Sequence, residues 1–121
     1  MEILHNNNII HRDIKPANVI VKSDGHATLI DLSIATLLSV QKGNDTQNLG
    51  TIGYAAPEQF GLSQSRPETD IYALGIMMNI MLTGVHPTIE IGKIIKKCTA
   101  ISIGERYKNI EELKKDLEKI K

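Results

Sequence analysis

The stretch from Ile71 to Leu82 limits what this chain can fold into more than any other. Ile71, Tyr72, Leu74, Ile76, Met77, Met78, Ile80, Met81 and Leu82 cover nearly every face of a helix. A helix that is apolar all round has to be enclosed on all sides, so it is expected to be the hub of the core, with Met77, Met78 and Met81 as filler. Ser65 as cap, Pro67 in the first turn and Glu68 closing a capping box mark its start, and Gly84 marks its end. The apolar run is too short to span a bilayer. With 121 residues, 41% of them hydrophobic, the chain can close one core, burying about two thirds of its unfolded surface. That allows one small domain.

Fourteen basic residues balance fourteen acidic ones. No global field then draws nucleic acid or anionic lipid, and neither is expected as a partner. A single cysteine, Cys98, excludes an internal disulfide and any multi-cysteine zinc site, and it suits a reducing compartment. No secretory leader is read at the start, and the expected location is cytoplasmic.

Met1 to His5 reads as the last turn of a helix stopped by Asn6-Asn7-Asn8. Val19–Val21 and Ala27–Ile30 form a small hairpin whose Asp24-Gly25 turn supplies positive φ angles. From Asp31 to Tyr54 no period is sustained, which predicts a long irregular loop, a feature compact domains tolerate mainly where it has a function. Ile91 to Cys98 is a shorter helix. The last helix starts at Asn109, with Glu112 reaching back to it, Ile110, Leu113, Leu117 and Ile120 on one stripe and Glu111 paired with Lys115 outside. His5, His26 and His86 are expected at the surface or in loops.

Chemistry concentrates in His11-Arg12-Asp13-Ile14-Lys15-Pro16-Ala17-Asn18, in Asp31-Leu32-Ser33 directly after the hairpin, and in Gly50-Thr51-Ile52-Gly53-Tyr54-Ala55-Ala56-Pro57-Glu58. Together with Asp70-Ile-Tyr-Ala-Leu-Gly75 and Arg106, these motifs resemble the eukaryotic-type protein kinases, in their order and spacing. The likeness covers essentially the whole chain and is greatest to bacterial members of the serine/threonine group. The fold it implies is mainly α with a small β-hairpin, the C-terminal lobe of a truncated α+β kinase fold. The catalytic loop would be 9–18, the hairpin 19–30, the activation segment 31–58, the buried helix 67–83 and the C-terminal helices 89–120.

The resemblance also implies roles. Asp13 would orient a substrate hydroxyl and accept its proton, and Lys15 would balance charge at the transferring phosphate of ATP. Asn18 and Asp31 would give hard oxygen ligands to Mg2+. Thr51 would contact Asp13 and Lys15 and shape the site for a serine or threonine of a protein substrate. Glu58 and Arg106 would form a buried ion pair, and Asp70 would accept backbone hydrogen bonds from the His11-Arg12 region. Arg12 would pair with a phosphorylated residue of the activation segment, with Thr46 the first candidate and Thr36 and Ser39 behind it. His11 would be structural.

Two departures bear on activity. Ser33 stands where the family has a glycine, whose freedom at positive φ lets the segment flip. No glycine-rich phosphate loop or strand lysine precedes the catalytic loop, so an N-lobe would have to be supplied in cis or in trans. A catalytically silent kinase-like binding module and a gene fragment remain as alternatives.

Overall fold

The computed structural model describes residues 1–38, 50–61 and 64–120. Helix α1 (Glu2–Asn6) is one short turn that stops at the asparagines, where Asn8 takes a left-handed φ of 58°. Strand β1 (Ile9–Ile10) follows, then a 3-10 turn at Pro16–Asn18 and a hairpin of β2 (Val19–Val21) and β3 (Ala27–Leu29) in the register Val19↔Leu29. Of the Asp24-Gly25 pair, only Gly25 takes a positive φ, at 85°. Asp24 instead uses its side chain, whose Oδ1 accepts the His26 N–H at 2.9 Å.

The segment read as irregular contains β4 (Thr36–Leu37), paired antiparallel with β1 in the register Ile9↔Leu37. Strands of two residues are too short for a period-2 pattern to show in sequence. They form because Leu38 N–H reaches the Asn8 carbonyl at 2.9 Å, closing the ladder beside the turn.

Helix α2 (Pro67–Met81) has a different start from the predicted one. Arg66, not Ser65, is the cap residue, and its N–H is satisfied by the Thr69 hydroxyl at 2.9 Å rather than by Glu68. The enclosure predicted for this helix holds for its first three turns. Ile71 packs with Ile94, Cys98, Tyr107, Ile110 and Leu113 on one side, while Ala73 and Met77 pack with Ile14 on the other. The last turn departs from the expectation, since Ile80 is 45% and Met81 67% exposed. There an open apolar groove is lined by Met78, Met81, Leu82, Ile91, Leu117 and Ile120.

Helix α3 (Ile89–Cys98) is capped by the Thr88 hydroxyl, which accepts the Ile91 N–H at 3.3 Å. It crosses α2 very closely at Gly75. A Cβ at that position would lie 2.5 Å from Cys98 Cβ and 2.9 Å from Thr99 Cγ2. Gly75→Val is therefore expected to destabilise the chain by about 3 kcal/mol through overpacking, measured as a fall in the urea midpoint at unchanged slope. An unchanged midpoint would show that the two helices part freely. Burial pushes the Cys98 thiol up to about 12, so it is inert packing at neutral pH.

Helix α4 (Ile110–Glu118) starts as predicted at Asn109, whose Oδ1 accepts the Glu112 N–H at 2.9 Å. Glu112 reaches one residue further back than expected, to the Lys108 N–H at 3.0 Å. In place of the predicted Glu111–Lys115 pair, Lys114 of α4 bridges to Glu2 of α1 and Lys119, just past the helix, pairs with Asp116. Among the described residues, no helix is long and apolar enough to cross a membrane.

Candidate active site

The segment 11–18 enters the core through a backbone conformation that has to be imposed. Arg12 sits at φ 70°, left-handed for a side chain that gains nothing from it, at a cost of about 1–2 kcal/mol. Asp70, fully buried in the first turn of α2, imposes it. Its Oδ2 accepts the His11 N–H at 2.9 Å and its Oδ1 the Arg12 N–H at 2.8 Å. The Arg12 Nε donates to the Ile34 carbonyl at 2.6 Å. His11 is structural, with Nε2 against the Ile30 carbonyl at 2.9 Å and Nδ1 accepting the Asp13 N–H at 3.2 Å. His5 is not the surface residue its base rate suggested. Its side chain is 7% exposed and its Nε2 lies 2.8 Å from Asp70 Oδ2, so the turn of α1 also braces the acid.

This scaffold brings four of the predicted residues together. The Thr51 hydroxyl donates to Asp13 Oδ1 at 2.6 Å and accepts from Lys15 Nζ at 2.8 Å. Lys15 Nζ stands 3.4 Å from Asp13 Oδ2. Asn18 donates through Nδ2 to both the Asp13 carbonyl and Asp13 Oδ2, at 2.9 and 3.1 Å. The Asp13 carboxylate is therefore oriented by the Thr51 hydroxyl and the Asn18 amide, with Lys15 beside it, and faces a partly open surface, which suits it to accept a hydroxyl proton. Lys15 is the positive charge beside it.

Asp31 stands at the edge of the same region, because the Ile30 N–H donates to the Asn18 carbonyl at 2.8 Å. It is exposed, at a left-handed φ of 64°, and it is Asp31, not Ser33, that carries the unusual backbone. Ser33 hydrogen-bonds back to it through its side chain and its backbone, N–H to Oδ1 at 3.0 Å, and these bonds, with the nearby Lys15 charge adding, hold its carboxyl below the usual carboxylate range. Serine at this place thus acts as a brace for the acid. The donor set fits a magnesium ion carrying a nucleotide. Asn18 spends its amide nitrogen on Asp13, leaving its oxygen, and Asp31 adds one ionised carboxylate. A hard cation that keeps phosphate and water ligands needs no more.

Further out, Glu58 and Arg106 form the expected buried pair, Nη1 to Oε1 at 2.8 Å and Nη2 to Oε2 at 3.0 Å. Sequence reasoning missed Gln59. It is 5% exposed, its Oε1 accepts the Ala56 N–H at 3.0 Å and its Nε2 donates to the Arg12 carbonyl at 2.8 Å. A polar side chain one place after Glu58 carries no local sign of that reach. Thr46 and Ser39 lie outside the described residues, and Thr36 lies in β4, its hydroxyl 3.5 Å from the Leu37 carbonyl.

Comparison with known families matches residues 1–120 to the protein kinase domain. The chain is 31% identical over 97% of its length to the probable serine/threonine-protein kinase PknB of Lactococcus lactis, covering 23% of that protein. It is 42% identical over 69% of its length to the serine/threonine-protein kinase PrkC of Bacillus subtilis, covering 13% of it. A probable LRR receptor-like serine/threonine-protein kinase of Arabidopsis thaliana matches at 34% identity over 93% of the chain and 20% of that protein. The chain thus spans less than a quarter of the length of these relatives.

Proposed function

The chain belongs to the protein kinase domain family, and from that premise we propose that it carries the catalytic-loop half of a serine/threonine protein kinase, transferring phosphate from Mg·ATP to a protein hydroxyl once an N-lobe completes it in cis or in trans. The observation behind this reading is the single network in which Thr51, Lys15 and Asn18 converge on Asp13. Protein kinases use ATP and magnesium, and when bound here that pair would supply the phosphoryl group and neutralise its oxygens.

The protein's own residues do the rest. Asp13 orients the acceptor hydroxyl and takes its proton at a carboxylate oxygen. Thr51 occupies Oδ1 and Asn18 reaches Oδ2, so the side chain cannot swing away. Lys15, whose Nζ donates to the Thr51 oxygen at 2.8 Å, would balance negative charge at the transferring phosphate. Asn18 and Asp31 would hold the cation, and Glu58 with Arg106 anchors the end of the segment on which Thr51 sits. An N-lobe is part of the proposal because these 121 residues contain no glycine-rich phosphate loop or strand lysine.

Calorimetric titration with Mg·ATP, with and without an added kinase N-lobe, compares the wild type with Asp31→Ala. Loss of one ionised ligand is expected to weaken binding about tenfold or more. Equal affinity in both proteins would overturn the assignment of Asp31. Nucleotide binding without any label transfer to serine or threonine would favour a silent binding module.

A further inference from the structure

We propose that Gln59 is a positioning residue that couples the docking of residues 50–60 to the orientation of Asp13. The inference rests on the kinase reading for its functional meaning and on geometry for its substance. The peptide unit joining Arg12 to Asp13 is held at both ends by side chains. Its N–H, on Asp13, is taken by His11 Nδ1 at 3.2 Å, and its oxygen, on Arg12, by Gln59 Nε2 at 2.8 Å. His11 belongs to the catalytic loop itself, whereas Gln59 comes from the 3-10 turn Pro57–Phe60. Gln59 is the hand that the other segment lays on this peptide.

A left-handed residue persists only where its surroundings over-determine it. Asp70 fixes the N–H of Arg12 and Gln59 fixes its carbonyl. Because Arg12 is 8% exposed, a carbonyl without its donor would sit in a place with little water to replace it. The peptide would then be free to rotate, taking the Asp13 backbone with it.

Gln59 is itself oriented by the local fold. Its Oε1 accepts the Ala56 N–H, which determines which end of the amide points at Arg12. Gly50 closes the arrangement from above, since a Cβ there would come within 2.7 Å of Gln59 Nε2 and 3.2 Å of the Arg12 oxygen. Residue 50, the turn 57–60 and Arg12 therefore meet at one amide group. When the segment is seated, Thr51 holds the Asp13 carboxylate and Gln59 holds its peptide. When it lifts, both grips release together, which makes the state of the segment legible at the base.

Gln59→Glu tests this directly. It keeps the oxygen for Ala56 and deletes the donor to Arg12. With the 15N-labelled chain, the Asp13 amide is expected to exchange with solvent at least tenfold faster than in the wild type and to shift its resonance, while amides of α3 and α4 stay put. Tyr107→Phe, which removes the hydroxyl that donates to Asp116 at 2.9 Å, serves as a destabilised control that leaves the Asp13 amide unchanged. In the chain completed by an N-lobe, kcat should fall about tenfold with KM for Mg·ATP within twofold. If Gln59→Glu does not fold, Gln59→Met gives the same readouts at similar volume. An Asp13 amide unchanged in both exchange and shift would overturn the proposal. Lack of phosphoryl transfer by the wild type would instead sink the kinase reading and leave the amide result standing.

Discussion

Arg106→Ala is expected to lower the unfolding free energy by about 3–5 kcal/mol, a large part of the about 5–15 kcal/mol that holds a typical domain together. The guanidinium has five N–H donors, and the structure uses all of them. Nε donates to the Ala100 carbonyl, Nη1 to Glu58 and the Glu68 carbonyl, and Nη2 to Glu58 and the Ile101 carbonyl, at distances from 2.7 to 3.2 Å. Its plane also lies 4.7 Å from the centre of the Tyr72 ring. Removing it leaves three carbonyls without this donor, and a carboxylate, 5% exposed, supported by the Thr69 hydroxyl at 2.9 Å.

The pH dependence gives this prediction a sign that simple loss of packing would not. Burial on its own would raise Glu58, but the Arg106 hydrogen bonds, with that of Thr69, prevail and hold it below its ordinary value of 4.5. A carboxyl lowered on folding contributes stability that is complete above the unfolded value and is lost as pH falls through the folded one. In Arg106→Ala the burial remains while the partner is gone. Glu58 should then rise above 4.5, and acid should relieve the variant by protonating it. The deficit relative to wild type is therefore expected to narrow between pH 7 and pH 4 in urea unfolding. A deficit below 1 kcal/mol at pH 7, or one that widens in acid, would mean that the pair does not hold the segment.

Asp13→Asn is expected to reduce phosphoryl transfer by the completed kinase by about 10²–10⁴-fold, the usual contribution of a positioned general base. Asparagine keeps an oxygen for the Thr51 hydroxyl and nearly the same volume, so the fold should be preserved, as circular dichroism would show. KM for Mg·ATP should change little because Asp31 is untouched and Asn18 keeps its 2.9 Å bond to the backbone carbonyl of residue 13. Comparing steady-state rates of the two proteins decides the point, and a variant within tenfold of wild type would remove Asp13 from the role of base. Together the two substitutions separate architecture from chemistry, since the first acts on stability at a distance from Asp13 and the second acts on rate.

Much of this molecule was readable before any coordinates. Asn109 caps the last helix, and the 19–29 hairpin turns at Asp24-Gly25, because each depends on contacts within a few residues. The convergence of Asp13, Lys15 and Thr51 was implied by resemblance rather than by residue chemistry, since 36 positions separate Lys15 from Thr51. Where local reading went wrong, the winning effect came from elsewhere in the chain. Ser65 and Glu68 had the right types for a capping box, yet Thr69 holds the Arg66 N–H while its own hydroxyl donates to Glu58. Met81 matched the apolar pattern but is 67% exposed in the open groove that Ile91, Leu117 and Ile120 also line.

The amino-acid order alone settled the helices, the hairpin and the set of chemically able side chains, because hydrophobic period, caps and turn residues act over one or two turns of chain. The tertiary structure alone decided that His5 is enclosed beside Asp70, 65 positions away, and that Gln59 grips the peptide of Arg12, 47 positions away. A left-handed arginine and a buried histidine are unfavourable for every local reason. They exist here because groups distant in sequence supply the hydrogen bonds that make any other arrangement cost more.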